Sequence, residues 1–243
     1  MKDNFSTQSD DYSKFRPQYP DEMIDYIVSF VDNTTTALDV ATGNGQIAHK
    51  LSRHFKMVYA TDISENQLEN AICAANIIYK KERAESTSFD ANLFDLIVVA
   101  QAIHWFDFAK FYGVVRRIAK PGCILAVIGY GVFSTNEDSD RILMDFYHNI
   151  VGPYWDPERR YLDEKYETIP FPFTEVDSKQ FTNELHWTFD QLTGYLNTWS
   201  ATQHYKNKHQ SNPVDLIYEE LRESWERCDK VVCFPLLLRL GKI

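Results

Sequence analysis

Leu38-Asp39-Val40-Ala41-Thr42-Gly43-Asn44-Gly45-Gln46 carries an apolar run into a glycine turn and out into the start of a helix. Residues 36–41 read as a short buried strand and residues 46–55 as the helix that follows. In such a turn Gly43 and Gly45 lack the Cβ atoms that would keep a nucleotide away from the backbone, and the helix after it presents free N–H groups. The turn alone leaves two cofactor classes open. Gly43-Asn44-Gly45-Gln46-Ile47-Ala48 also fits the G-x-G-x-x-G/A dinucleotide fingerprint, with Asp62 close to 20 residues beyond Gly43.

Outward from this point strands and helices alternate. Residues 57–61 form a second short strand ending at Asp62, and Ser64 caps a helix through about Ala75 with Gln67 in the capping-box position. Residues 77–79 suit a third strand. Residues 94–100, a run of Val and Ile without alternation, suit a strand covered on both faces at the centre of a parallel sheet. Residues 107–119 read as a helix stopped by Lys120-Pro121-Gly122, and residues 123–128 as the next strand. Upstream, Asp21 is placed to cap a helix whose apolar positions Met23, Ile24, Ile27, Val28 and Val31 recur at helical spacing. The pattern predicts an α/β doubly wound fold. Beyond Tyr130 the composition changes, with 14 aromatics between residues 146 and 205. A strand is expected over 175–188, helices near 190–205 and 213–228, and a last strand over 231–240.

Composition limits the function classes. The 243 residues hold 35 acidic and 25 basic side chains, a net charge of −10, and 44% apolar residues, which is ample material for a core. With no Lys/Arg block and a pI near 5.2, a nucleic-acid backbone is not the expected ligand. Cys73, Cys123, Cys228 and Cys233 show neither C-x-x-C nor zinc spacing, so reduced thiols and no metal are expected. No secretory signal and no apolar run of membrane-spanning length is evident, and the expectation is a soluble, cytoplasmic protein.

Asp39 helps to separate the cofactor classes. A carboxylate at the end of the first strand would be an unfavourable neighbour for a pyrophosphate, whereas it suits a ligand whose amino acid part carries an ammonium, as S-adenosylmethionine does. Asp62, at the end of the second strand, is placed to accept hydrogen bonds from ribose hydroxyls.

On these residues the sequence resembles the class I S-adenosylmethionine-dependent methyltransferases, and among them the methyltransferase type 11 and trans-aconitate methyltransferase-like group. The resemblance is carried by Tyr12-Ser-Lys-Phe-Arg16-Pro17-Gln-Tyr19-Pro20, Asp39-Val-Ala-Thr-Gly43-Asn-Gly45-Gln, Thr61-Asp62-Ile-Ser64, Ala84-Glu85, Phe94-Asp95-Leu-Ile-Val-Val-Ala-Gln101-Ala-Ile-His104-Trp105-Phe106, Arg117-Ile-Ala-Lys120-Pro121-Gly122 and Trp199-Ser200-Ala201-Thr202. It implies a seven-stranded Rossmann-like sheet, mostly parallel with an antiparallel last strand, and an aromatic-rich lid insertion. It also implies a single domain: a leader over the cofactor (1–20), a cofactor-binding core (21–130), a substrate lid (131–173), and C-terminal strands and helices that complete the lid (174–243).

Carried over by position, Asp39, Ala41, Gly43 and Gly45 hold the methionine part and backbone side of the cofactor, Asp62 the ribose and Ile63 the adenine. Ala84 and Glu85 supply further adenine contacts, and Gln101 faces the reacting methyl. The chain departs from the family at Ala41, where a glycine is usual, and at Arg83, where an acidic or small residue is common. His104, directly after the fourth strand, is the candidate catalytic base or carboxylate contact. Tyr12, Arg16, Tyr19, Trp105 and Tyr130 are substrate candidates. Arg159 and Arg160 would favour an acidic substrate if two arginines face the pocket. The implied reaction moves a methyl group to a small-molecule acceptor such as a carboxylic acid. The protein would be a monomer or homodimer, without nucleic-acid or membrane partners. A nicotinamide-dependent oxidoreductase and an inactive cofactor-binding partner protein are the alternatives.

Overall fold

A computed structural model describes residues 15–176 and 179–243 of the chain. The elements follow in the order α1 (Asp21–Val28), β1 (Thr36–Val40), α2 (Gln46–Leu51), β2 (Met57–Asp62), α3 (Glu65–Glu69), β3 (Ile77–Lys81), β4 (Phe94–Ala100), α4 (Phe108–Ile118), β5 (Ala119–Tyr130) and α5 (Glu137–Asp145). Then come α6 (Arg160–Asp163), β6 (Thr174–Glu175), β7 (Phe181–His186), α7 (Phe189–Asn197), α8 (Ser200–His209), α9 (Tyr218–Glu226) and β8 (Val231–Lys242).

The sheet order is β3-β2-β1-β4-β5-β8, with β1 to β5 parallel and β8 antiparallel to β5. The far edge of β8 pairs with β7 along residues 231–236 and with β6 along 241–242, both antiparallel to it. These two segments share one rank. The sheet therefore has seven ranks, all running one way except β8, as the expected fold class requires.

Burial explains the central strand. Phe94, Leu96, Ile97 and Val99 are fully buried, with Leu96 and Val98 packed into one core and Phe94, Ile97 and Val99 into the other, on opposite faces of the sheet. Each such side chain removed from water contributes about 1.5–3 kcal/mol, which a continuous apolar run can supply on both sides at once.

The expected elements shift in four places. Asp21 is the first residue of α1 rather than its cap, and its carboxylate pairs with Lys50 and Arg53 of the segment beyond β1. Ser64 does cap α3, but the helix stops at Glu69, because Ile72 N donates to Asn44 O (3.0 Å) and ties the chain back to the glycine turn. Lys120-Pro121-Gly122 ends α4 as expected yet already belongs to β5, where the register slips between the Phe94–Ala119 and Leu96–Ile124 pairs. The strand expected over 175–188 divides into β6 and β7. Among the described residues no helix is long and apolar enough to cross a membrane.

Candidate active site

β1 has β2 on one side and β4 on the other, so the chain leaves β1 and β4 in divergent directions and opens a crevice at their carboxyl ends, where ligands bind in folds of this kind. The turn after β1 fills one wall. Ala41, Gly43 and Gly45 all have left-handed backbones, with φ of 56°, 56° and 82°. Asp62 holds the turn, accepting from Gly43 N through Oδ2 and from Ser64 N through Oδ1, both at 2.9 Å. Asp39 lies beneath it, its Oδ2 accepting from the Thr42 hydroxyl and from Ala48 N (3.0 Å).

The space above Gly45 belongs to the protein. A Cβ there would lie 2.1 Å from the Tyr79 hydroxyl, so this glycine makes room for β3 rather than for a ligand, as the sequence reading had assigned it. Ala41 bears a conformational penalty of about 1 kcal/mol in the left-handed region. Ala41→Gly is expected to raise stability by about 0.5–1 kcal/mol, allowing for the freedom glycine regains when unfolded; denaturant titration would detect it, and a loss of stability would contradict the strain.

The crevice forms a cleft that opens to solvent at its mouth. Of the predicted cofactor residues it brings together Ala41, Gly43, Asp62, Ile63 and Gln101. Arg16 and Tyr19 of the leader, with Trp105 and Tyr130, close the opposite side. Tyr12 lies outside the described residues. Asp39, Gly45, Ala84 and Glu85 do not line the cleft. Ala84 is buried in the second core, and Glu85 accepts from Asp107 N (3.3 Å) at the root of α4 and lies 3.8 Å from Arg83. Thr42, Asn44 and Gln67 line the cleft without having been singled out. Gln67 carries a signal as a polar residue buried on the inward face of a capped helix.

A second, much narrower cavity adjoins the first and shares Arg16, Gln101 and Trp105 with it. Its remaining wall is His104, Trp155, Asp156, Arg159, Leu162, Trp199 and Ser200. Gln101 is fixed at the junction, with φ of 52°, its amide accepting from Tyr130 N (2.9 Å) and donating to Tyr130 O (3.3 Å). Arg16 donates to Tyr130 Oη (2.9 Å) and Thr198 O (3.1 Å). Arg159 lies over the Trp155 ring (4.6 Å) and donates to the Tyr147 hydroxyl (2.8 Å), with Asp163 behind it at 3.3 Å. Arg160, named beside Arg159 in the sequence reading, instead packs on Tyr161. Most of the aromatic segment is core, including Phe146, Tyr195 and Trp187, whereas Trp155 and Trp199 also wall the cavity.

His104 is buried on a 3₁₀ turn (Ile103–Trp105), its Nδ1 3.3 Å from the Tyr166 hydroxyl. Burial, and after it the charges of Arg159 and Arg16, lower its pKa to about 3, so the imidazole is neutral at physiological pH. Asp156 lines the same cavity and Asp163 pairs with Arg159, so the two arginines stand opposite two carboxylates.

The residues present fit S-adenosylmethionine. The carboxylate of Asp62 and the apolar Ile63 stand side by side for a nucleoside, and the backbone of the turn and Gln101 line the length of the cleft toward the second cavity. A seven-rank sheet reversed at β8, a cleft at its switch point and an adjoining second cavity define the class I methyltransferase architecture. The methyltransferase domain family of type 11 matches residues 38–127. A protein of Dictyostelium discoideum named as a methyltransferase is 30% identical over 99% of this chain and 95% of its own. A solved structure from Anaeromyxobacter dehalogenans, assigned as a type II methyltransferase, covers 94% of this chain and 98% of its own at 32% identity, with a TM-score of 0.86. An uncharacterized methyltransferase of Mycobacterium tuberculosis is 29% identical over 77% of this chain and 71% of its own. The chain belongs to the class I S-adenosylmethionine-dependent methyltransferases, and of the two cofactor classes open at the glycine turn the family selects S-adenosylmethionine.

Proposed function

We propose that this methyltransferase esterifies a carboxylate of a small acid held in the second cavity, in keeping with its resemblance to the trans-aconitate methyltransferase-like group. The observation that carries the reading is the pair of guanidinium groups, Arg16 and Arg159, on a cavity that meets the cofactor cleft at Gln101 and Trp105. Charge-assisted and bidentate contacts make arginine well suited to a carboxylate.

When bound, S-adenosylmethionine supplies a methyl group already activated by its sulfonium. The protein's contribution is alignment and exclusion of water. Gln101, locked to the end of β5, sets the floor where the cavities join. Arg16 and Trp105 bridge them, and Trp155 and Trp199 wall the second cavity. His104, held neutral among positive charges, has little capacity to retain a proton. An acceptor that arrives as an anion needs none removed, which favours a carboxylate over a hydroxyl. The roles of leader (1–20), lid (131–173) and C-terminal closure (174–243) are part of this proposal, as are a cytoplasmic setting and a monomeric or homodimeric form.

Calorimetric titration with S-adenosylhomocysteine, with NAD in parallel, tests the cofactor cleft. Transfer of labelled methyl to a panel of mono-, di- and tricarboxylic acids, read as base-labile methanol release, tests the acceptor. Arg159→Gln should raise KM for a productive acid about 10–100-fold, the equivalent of one lost charge-assisted contact, while S-adenosylhomocysteine affinity stays within threefold. Methylation of amines or alcohols but of no acid would refute the carboxylate assignment.

A further inference from the structure

Between α6 and β6 the chain makes a turn that the reaction as described does not use. Lys165 and Tyr166 follow each other in the left-handed region, with φ of 53° and 63°, a conformation unfavourable for bulky side chains. Tyr166 is nevertheless fully buried. The turn is clamped from β8: Arg239 Nη1 donates to Tyr166 O (2.9 Å) and Ile169 O (2.8 Å). Arg239 is itself oriented by Glu175, through Nε–Oε2 at 3.1 Å and Nη2–Oε1 at 2.6 Å, and by the Phe171 ring 4.4 Å away. Strain that persists because its surroundings enforce it marks a placed side chain.

What is placed is the phenol. Its hydroxyl is 3.3 Å from His104 Nδ1, and the two rings stack with centroids 6.1 Å apart at 29°. Its ring also lies against the backbone at Gly129, where a Cβ would be 2.7 Å from the Tyr166 ring and 3.0 Å from Gln101 Oε1. Tyr166 thus reaches His104, which lines the second cavity, and its ring flanks Gly129 on a side that Gln101 also approaches, yet it does not line either cavity itself.

We propose that Tyr166 is a positioning residue for the acceptor cavity: its hydroxyl donates to His104 Nδ1, which holds the neutral imidazole as the Nε2–H tautomer and presents that N–H as a donor toward the acceptor. The tautomer of a histidine is set by the hydrogen bond its other nitrogen makes. An Nε2–H donor beside Arg16 and Arg159 would contact an anionic acceptor without exchanging a proton with it. The assignment of this cavity to the acceptor rests on the function proposed above, but the tautomer does not.

Long-range ¹H–¹⁵N NMR of the histidine rings in the full-length protein reads the tautomer directly, with His104→Gln identifying the signals. Wild type is expected to show His104 with a bare Nδ1 and a protonated Nε2, with and without S-adenosylhomocysteine. Tyr166→Phe keeps the ring over Gly129 and removes the hydroxyl; it should convert that pattern to a mixture of tautomers while S-adenosylhomocysteine affinity stays within threefold. A protonated Nδ1 in wild type overturns the proposal even if the variant does not fold, and so does a variant spectrum identical to wild type. Should the methyltransferase reading fail instead, wild type would not bind S-adenosylhomocysteine, a result separate from the ring pattern.

Discussion

Asp39→Asn is expected to gain stability relative to the parent protein as pH rises from 4 to 7, by up to roughly 4 kcal/mol across the window. Asp39 is 1% exposed, and its Oδ1 has no hydrogen-bond partner among the described residues. Burial raises its pKa to about 7, against the lowering effect of the Thr42 and Ala48 hydrogen bonds and with a further rise from the Asp62 charge. Between about pH 4 and pH 7 the folded protein keeps a proton on this carboxyl that the unfolded chain has released. Stability therefore falls as pH climbs through the window, and about three pKa units correspond to about 4 kcal/mol. Asparagine can keep an acceptor toward Thr42 and Ala48 without ever becoming charged. Denaturant titrations of both proteins at intervals from pH 4 to pH 8 give the difference curve. A difference independent of pH would mean that Asp39 is ionised throughout.

Asp62→Ala should weaken S-adenosylhomocysteine binding by about 100-fold or more and lower stability by about 3–6 kcal/mol. The carboxylate takes two N–H groups, from Gly43 and Ser64, each at 2.9 Å. Hydrogen bonds to a charged acceptor are worth about 1.5–3 kcal/mol each, and their loss leaves both donors without this partner. The turn they hold includes Ala41, whose left-handed backbone offers no stability of its own. Two bonds' worth of pre-organisation, added to the contact with the nucleoside that the cofactor proposal gives Asp62, exceeds the 2.7 kcal/mol that 100-fold in affinity represents. Asp62→Asn, which retains one acceptor, should recover part of both effects. Calorimetry showing the alanine variant within threefold of wild type would remove Asp62 from the cofactor site.

The order of elements could be read along the chain because each depends on neighbours in sequence. The unbroken apolar run of β4 reports burial on both faces, Ser64 marks a helix start by its cap, and the glycine turn marks where a strand gives way to a helix. Ala41, Gly43, Asp62, Ile63 and Gln101 were legible as cleft residues because strand ends share one edge of a parallel sheet. Gly45 was misread because its neighbour, Tyr79, comes from another strand 34 positions later. Asp39 was expected at the ligand and is found beneath the turn, since sequence places a residue at a strand end without saying to which side of the loop its carboxylate bends.

The class of fold was readable along the chain from local periodicity within successive strand–turn–helix units, whereas the glycine turn left two cofactor classes open until family membership selected S-adenosylmethionine. Which arginines meet in the second cavity is set by long-range folding, because Arg16 and Arg159 reach it from segments more than 140 residues apart, while Arg160, adjacent to Arg159, turns away to Tyr161. The tertiary structure also decided the state of His104. Its neutrality comes from burial and from two cations that no local pattern brings to it. A carboxylate, an imidazole and a guanidinium have their chemistry set by the groups packed around them, and that packing is assembled by long-range contacts.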